Sequence, residues 1–398
     1  MIPRFRQLFN AHFSEEKYHD YLHALHYPYP GAIEFRVAET PVFINQSFRN
    51  KMLSACESII DFIVSPDFKT ITERAIPDNL RVPGENAHPH FIAFDFGICT
   101  NEKGETEPQL VEMQGFPSLF AFQALMSRMA ADSFDLPRNL SAYLNGYNEI
   151  TYLQLLRDII TNGFNHENVI LLELHPHEQK TRIDFYLTRQ YLGIEPVCIT
   201  ELVKEDRQLY YYKDGRKIHI KRIYNRLIFD ELLQQPAAVQ EHAQILFSEL
   251  DVEWVTHPNW FYRISKFTLP FIKHPYVPET FFLDTLSSLP ANLNDYVLKP
   301  LFSFAGNGVV IDVTAADIRA VQDPQNWILQ RKVQYAEIIK TPNEPSKAEI
   351  RLFYFWKDGA ARPVATQNLA RLSKGKMIGT RYNQNKDWVG GSLAFFEN

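Results

Sequence analysis

Cysteine is scarce in this sequence of 398 residues, which contains only Cys56, Cys99 and Cys198. The three are odd in number and widely separated, and none stands in the spacing of a zinc or redox centre. This pattern fits thiols that stay reduced, as they do in a cytosol. We therefore expect a cytoplasmic protein.

Long apolar runs are also missing, since no segment approaches the roughly 18 consecutive apolar residues of a transmembrane helix. The first residues read MIPRFRQLFNAHF. They lack the sustained apolar core and the small-residue cleavage site of a secretory signal. The sequence thus predicts neither a membrane span nor a secretory signal.

No basic block stands out in the chain. It carries 41 Lys and Arg against 47 Asp and Glu, with a net charge of −6 and both signs mixed along its length. Nucleic acid is therefore not expected as a partner. Apolar residues make up 45% and charged residues 22%, so the chain is predicted to be globular, with roughly two to three domains for its length.

Within the first third of the chain, the predicted secondary structure changes from helices to strands near residue 88. Residues 1–85 are predicted to be mostly helical, with one amphipathic helix over 48–64. Two strands over 90–97 and 109–113, joined by a turn, then predict a hairpin. An apolar helix follows to about Met129, with Ser118 as its predicted N-cap.

The middle of the chain alternates helix and strand, which predicts a small parallel sheet of βαβ units. A hairpin and two helices complete this segment. The predicted elements are helices 152–161 and 179–193, strands 169–174 and 196–199, the hairpin 209–213 with 217–220, and helices 227–235 and 237–249.

The last third is predicted to be rich in strands. Two of them flank a short glycine-containing loop, and two long ones form a hairpin closed by Lys357-Asp358-Gly359. The predicted elements are strands 296–301, 309–313 and 327–333, helix 315–321, and strands 349–356 and 362–372.

The segment 297–309, here called the lysine–glycine segment, carries the most chemical information. It places Lys299 at the end of an apolar strand, followed by a turn that contains Gly306 and Gly308. Glycine allows backbone N–H groups to approach phosphate oxygens, and a lysine supplies a compact positive charge beside them. The segment is neither a P-loop nor a dinucleotide fingerprint. A plain hairpin is the alternative interpretation.

Gln330 lies in the predicted strand 327–333, about twenty residues after the glycine loop. An exposed strand edge of this kind can offer backbone hydrogen bonds to an adenine ring, with apolar walls around it. An ordinary core strand explains the pattern equally well.

Asp95 and Glu112 stand inside otherwise apolar strands. Buried carboxylates are costly unless they are paired or bound to a cation. Glu112 and Gln114 share one strand face, and oxygen ligands of this kind suit Mg²⁺ held against phosphates. The alternatives are two acids at solvent-facing strand ends, or a salt bridge to an arginine.

Together these segments resemble the ATP-grasp superfamily. In that superfamily the lysine and glycine loop usually precede the metal ligands, whereas here the carboxylates come first. The inverted order resembles circularly permuted ATP-grasp enzymes of the glutathionylspermidine synthase type, over about residues 85–398. Lys266 occupies a fitting place for the lysine that precedes the glycine loop in that family.

The resemblance implies a mixed α+β fold, with antiparallel sheets around the nucleotide site and a small βαβ domain. The expected divisions are a helical segment 1–85, a metal-binding part 86–150, a βαβ substrate-side domain 151–255, and a nucleotide-binding part 256–398. Two departures bear on the function. Gln114 replaces the usual asparagine of Glu-x-Asn, and Ala93-Phe94 precede Asp95 where an arginine is often found.

The implied reaction activates a carboxylate as an acyl phosphate, which an amine then attacks. ATP and Mg²⁺ are the implied cofactors, and a small carboxylate and an amine are the implied substrates. Arg351 would clamp the acyl phosphate, with Arg371 and Arg381 as weaker candidates. For each of these arginines, a surface or structural ion pair is the alternative interpretation. The implied sets are the nucleotide ligands Lys266, Lys299, Ser303, Gly306, Asn307, Gly308 and Gln330, the metal ligands Asp95, Glu112 and Gln114, and the catalytic residues Arg351 and Lys299.

Two other functions fit the same residues. One is a kinase that transfers phosphate to a stable hydroxyl and needs no amine. The other is a nucleotide-binding module without catalytic activity. The products of ATP turnover distinguish all three.

Replacement of Lys299 or Glu112 by alanine should abolish ATP turnover and leave the fold intact. The first change removes positive charge from the phosphates, and the second removes a predicted metal ligand. ATP turnover and circular dichroism of the purified variants measure the two effects. Full turnover in either variant would count against the predicted site.

Overall fold

The computed structural model describes residues 1–303, 306–379 and 382–397, with the side chain of Asp230 left out. Arg381, one of the weaker catalytic candidates, lies outside the described residues. Within these ranges no helix combines the length and the apolar character needed to cross a bilayer.

Helices and strands alternate along the chain. The α-helices of the described chain are α1 Pro3–His12, α2 Glu15–His26, α3 Gln46–Ile63, α4 Phe68–Ile71, α5 Phe120–Ser133, α6 Glu149–Thr161, α7 Arg182–Leu192, α8 Phe229–Leu232, α9 Ala237–Ala243, α10 Asn259–Arg263 and α11 Ala315–Ala320. The first strands are β1 Val42–Ile44, β2 Phe91–Thr100, β3 Thr106–Gln114, β4 Leu140–Ser141, β5 Val169–Glu173, β6 Glu195–Cys198, β7 Val203–Glu205, β8 Gln208–Lys213 and β9 Arg216–Ile220. The remaining strands are β10 Arg222–Asn225, β11 Glu253–Val255, β12 Thr280–Phe282, β13 Tyr296–Pro300, β14 Trp327–Arg331, β15 Lys347–Phe355, β16 Val364–Ser373, β17 Gly390–Ser392 and β18 Ala394–Glu397.

An antiparallel sheet of five strands, in the order β17-β16-β15-β2-β3, forms the centre of the molecule. β2 is apolar except at Asp95 and its terminal Thr100, because both of its faces are covered. Phe94 and Phe96 belong to one buried cluster together with Met52 of α3. Phe91 belongs to another, together with Phe120 of α5. The sheet therefore joins strands from the first third of the chain to strands from the last third.

A second antiparallel sheet, in the order β12-β14-β13, carries the lysine–glycine segment. The strand predicted over 309–313 does not form in the described structure. Only Val310 pairs there, through reciprocal backbone hydrogen bonds with Leu298 of 2.9 and 3.0 Å. The chain then turns away, and the Asp312 carboxylate binds Lys376 at 2.7 Å instead.

The predicted parallel sheet is confirmed, with strand order β11-β10-β5-β6 and all neighbours parallel. The helices predicted over 227–235 and 237–249 are shorter than expected. The first reduces to α8, and the second divides into α9 and a 3₁₀ turn over Gln244–Phe247. Pro236 separates them, since it stands at the N-cap of α9.

The helical N-terminal segment also contains β1, which pairs in parallel with β18. A short antiparallel pairing of β18 with β4 completes that sheet. A further antiparallel sheet, β7-β8-β9, contains the predicted hairpin. Residues from the two ends of the printed sequence thus lie side by side.

The start of α5 differs from the prediction that Ser118 caps it. The helix begins at Phe120, and the preceding Leu119 has a left-handed φ of 75°. The backbone N–H groups of Leu119 and Phe122 donate to the Asp184 carboxylate at 3.1 and 2.9 Å. This buried acid of α7 therefore caps α5 from a distant part of the chain.

Replacement of Asp184 by alanine should lower the free energy of unfolding by about 2–3 kcal/mol, because two buried backbone donors would lose their acceptor. Urea denaturation measures the loss. Asn148→Ala is the matched control, since the Asn148 side chain accepts from only one backbone N–H, that of Thr151 at 3.0 Å, at the exposed start of α6. This substitution should cost only about 1 kcal/mol. Equal losses in the two variants would contradict the long-range cap.

Candidate active site

A cavity of about 680 Å³ lies between the β12-β14-β13 sheet and the central sheet. Residues from three distant parts of the chain line it. Among the predicted site residues, those on its walls are Glu112, Lys266, Lys299, Ser303, Gly306, Gln330 and the weaker candidate Arg371. We call this space the nucleotide cavity, after the nucleotide that the sequence predicts there. Asn307 and Gly308 are exposed and do not line it.

Lys299 projects from β13 into this cavity and is only 8% exposed. Its Nζ donates to Gln330 Oε1 at 2.5 Å and to the Val111 carbonyl at 3.2 Å. Within the described residues, no carboxylate lies within 4.0 Å of this ammonium. Burial lowers the pKa of Lys299 to about 8, against the opposing effect of Glu112 and with a further lowering by Lys266.

Lys266 begins a 3₁₀ turn over Lys266–Phe271 and is 6% exposed. Its Nζ donates to the Ser303 carbonyl at 2.9 Å, which ties it to the glycine loop. Burial lowers the pKa of Lys266, while Glu112 raises it. The Ser303 hydroxyl is buried and has no hydrogen-bond partner among the described residues. A second cation and an unused hydroxyl thus face the same space as Lys299.

The glycine loop adopts a backbone that favours glycine at two positions. Gly306 and Gly308 each have a φ of 72°, in the left-handed region that side chains disfavour. A Cβ at Gly306 would also meet Met377 Cε at 2.7 Å, and one at Gly308 would meet Pro300 Cγ at 3.0 Å. Phe304 and Ala305, between Ser303 and Gly306, lie outside the described residues.

The predicted adenine edge needs a correction. β14 lies between β12 and β13 and pairs with both, so its backbone has no free edge. The strand ends at Arg331, and Lys332, Val333 and Gln334 follow it along the cavity wall. Gln330 contributes through its side chain instead, because it accepts the hydrogen bond from Lys299.

The structure places Asp95 in β2 directly opposite Glu112 in β3. Asp95 is fully buried, and its carboxylate accepts three hydrogen bonds. Arg351 donates from Nε and Nη2 at 2.6 Å each, and Arg371 donates from Nη2 at 2.7 Å. Burial alone would raise the pKa of Asp95, but the two guanidinium groups outweigh it and hold that pKa below its ordinary value.

Glu349 and Tyr335 complete this polar cluster and were not predicted. Arg371 donates to Glu349 at 2.8 Å, and the Tyr335 hydroxyl donates to the other carboxylate oxygen. Burial raises the pKa of Glu349. The signal was present in the sequence, because Glu349 and Arg351 stand two residues apart and so share one face of β15.

The predicted metal ligands lie close together but do not form an open set of three. Gln114 turns its amide nitrogen toward Glu112 and donates to Oε1 at 2.7 Å. Both Asp95 oxygens already accept hydrogen bonds from arginine. Within residues 1–303, 306–379 and 382–397, no three His, Cys, Asp or Glu side chains are grouped so that they could hold a metal ion. In this arrangement Asp95 is bound by arginine and Gln114 presents its amide nitrogen to Glu112, and the Mg²⁺ assignment stays a prediction.

Searches against known proteins find similarity in structure alone. No family model matches the chain, and no curated protein matches its sequence. Among solved structures, the chain resembles a glutathione synthetase-like effector from Globodera pallida in its apo form, with a TM-score of 0.56. The two are 10% identical, and the match covers 97% of each chain. This likeness shows a shared fold and is consistent with the ATP-grasp-like arrangement, but it does not test the permuted order.

The affinity of the cavity for a nucleotide should fall as the pH rises above 8, because Lys299 then loses its charge. The decline should approach about tenfold per pH unit. Calorimetric titration with a non-hydrolysable ATP analogue between pH 7 and 10 measures it. Lys299→Arg should remove most of the decline, since arginine stays charged in this range, and leave a smaller one from Lys266. A flat profile in the unmodified protein would show that Lys299 does not contact the phosphates.

Proposed function

We propose that this chain is an ATP-dependent ligase that joins a carboxylic acid to an amine through an acyl phosphate. The arrangement that carries the proposal is the convergence of Lys266 and Lys299 from the last third of the chain with Glu112 from the first third. All three line one cavity. A chain order inverted relative to most ATP-grasp enzymes requires this convergence.

The nucleotide cavity suits ATP in size and charge. Its volume of about 680 Å³ lies within the roughly 300–1,000 Å³ of small-molecule and cofactor sites. Lys299 is a buried cation without an acidic partner within reach among the described residues, and such a group is stabilised when an anion binds beside it. ATP would supply the phosphoryl group that activates the acid.

The residues of the cavity would act by electrostatics and orientation. Lys266 and Lys299 provide fixed positive charge where phosphoryl oxygens gain negative charge. Arg351 is held in place by Asp95, and its Nη1 donates no hydrogen bond to any described residue. That nitrogen would hold the carboxylate that is to be activated.

The bonding changes of this reaction balance without any further reagent. A carboxylate oxygen bonds to the terminal phosphorus of the nucleotide as the bond to the bridging oxygen breaks, and ADP leaves with the electron pair. The amine then attacks the acyl carbon, phosphate leaves, and the amine nitrogen loses a proton. The solved neighbour supports a ligase, since its description names it as glutathione synthetase-like.

Incubation of the chain with ATP and Mg²⁺ across pools of carboxylic acids and amines should release ADP only when both are present. The product should be an amide. A phosphorylated product that forms without an amine would favour the kinase. Tight nucleotide binding without ADP release from any pool would favour the non-catalytic module.

Arg351→Lys in the same assay should reduce ligation about 100-fold to 1,000-fold and change nucleotide affinity little, because Arg351 does not line the nucleotide cavity. Arg362→Lys is the matched control. Arg362 also binds two carboxylates, those of Asp61 and Glu57, but on the surface. Ligation should be unchanged in that variant.

A further inference from the structure

A second cavity, of about 250 Å³, adjoins the nucleotide cavity. The two share the wall residues Glu112, Lys266, Ser303 and Arg371. We propose that this second cavity, here called the acid cavity, binds the carboxylic acid substrate, a small monocarboxylate with an apolar or aromatic body, and that Arg226 anchors it. The proposal rests on the ligase function proposed above.

Arg226 is a buried cation at the wall of the acid cavity and is 6% exposed. Its Nη1 donates to the Pro117 carbonyl at 2.6 Å, and its buried Nε has no hydrogen-bond partner among the described residues. Its guanidinium carbon lies 4.8 Å from the centre of the Phe116 ring. Within the described chain, no acidic side chain lies within 4.0 Å of Arg226. A bound carboxylate would supply the missing negative charge.

Asp184 and Glu173 are the acids that act on Arg226 from a greater distance. The carboxylate of Asp184 accepts hydrogen bonds from the backbone at the start of α5. Glu173 is also buried and accepts a hydrogen bond of 2.8 Å from the backbone of Leu174. Both acids are therefore already committed to backbone donors and do not pair with the guanidinium group.

The place of Arg226 in the fold supports a ligand role independently. It directly follows β10, which ends at Asn225 in the middle of the parallel sheet. Ligands of α/β sheets bind beyond the carboxyl ends of parallel strands. Arg226 stands at such an end and lines a cavity. An arginine with a purely structural role would not need to line a cavity at this place.

Three further cations, Arg351, Arg371 and Lys266, and one acid, Glu112, line the acid cavity. Arg351 lines it from the central sheet, and Lys266 stands at its boundary with the nucleotide cavity. A carboxylate held between Arg226 and Arg351 would therefore lie close to the boundary of the two cavities, next to the place proposed for the phosphates of the nucleotide. Arg351 and Arg371 bind Asp95, Arg371 also binds Glu349, and Glu112 lines the cavity itself. These three acids offset three of the four positive charges, so the charge of the acid cavity favours a single anionic group.

The remaining walls define the body of the substrate. Phe116, Ile228, Phe261, Ile264 and Phe302 form apolar walls, beside the polar side chains of Gln114, Ser118 and Ser265. The volume of about 250 Å³ lies below the roughly 300–1,000 Å³ of sites for drug-sized ligands. The cavity therefore suits an acid of about the size of one amino acid, with an apolar side rather than a second charge.

Calorimetric titration of the nucleotide-free 398-residue chain with 3-phenylpropanoate tests the proposal. The acid should bind, 3-phenylpropanamide should not, and glutarate should bind at least about tenfold more weakly. Arg226→Gln should lower the affinity for 3-phenylpropanoate about tenfold or more, because it removes a charge-assisted hydrogen bond. The affinity for an ATP analogue should stay within about twofold of that of the unmodified protein. Equal binding of acid and amide, or of glutarate and the acid, would overturn the proposal.

Ser118→Trp provides a second variant, in which Arg226 is unchanged. Ser118 lines the acid cavity and not the nucleotide cavity, so a large side chain there should block the acid and spare the ATP analogue. If Arg226→Gln does not fold, as judged by circular dichroism, Ser118→Trp decides the question. Unchanged acid binding in this variant rejects the acid cavity as the binding site.

The two proposals fail in different ways. An unmodified protein that binds the ATP analogue but not the acid overturns this inference and leaves the nucleotide site standing. An unmodified protein that binds the acid but no nucleotide overturns the ligase proposal, and with it the role of the acid as a substrate.

Discussion

One buried carboxylate shared by two guanidinium groups is the interaction on which the rest of the structure depends. Asp95 lies in β2, while Arg351 and Arg371 lie in β15 and β16, 256 and 276 positions away in the chain. Removal of either partner from a buried ion pair leaves an uncompensated charge, which costs several kcal/mol. The three strands assemble in the register that brings these groups together, and the separate pairing of β2 with β3 sets Glu112 opposite Asp95.

The neighbouring cations contrast with this balanced cluster. Lys299, Lys266 and Arg226 are each at least nine-tenths buried, yet within the described chain none has an acid within 4.0 Å. Their hydrogen bonds go instead to Gln330 or to backbone carbonyls. Uncompensated burial of this kind lowers the pKa of a lysine and destabilises the unliganded protein. The molecule thus separates charges that hold the sheet together from charges that remain available to anions.

The sequence predicted the parts of the fold that depend on local pattern. β2 and β15 were placed within a few residues, because strands covered on both faces read as apolar runs. The sequence pattern did not predict features that depend on the register between strands that lie far apart in the chain. The pattern indicated that Asp95 is buried, but the partner that faces it follows from the pairing of β2 with β15. The sequence predicted Ser118 as the cap of α5, whereas the cap is Asp184, whose position also depends on long-range packing. No role was predicted for Arg226, since an arginine at the end of a buried strand is usually structural.

Lys266 links the two cavities through its geometry. Its ammonium group has three donor hydrogens, and one of them holds the Ser303 carbonyl at the base of the glycine loop. The other two are available on the boundary that both cavities share, so one group can fix the loop and contact anions on either side. A buried ammonium without an acidic partner is costly in the empty protein, and a bound anion offsets that cost. The buried ammonium group of Lys266 therefore destabilises the unliganded site and would, for the same reason, favour the binding of two anions side by side.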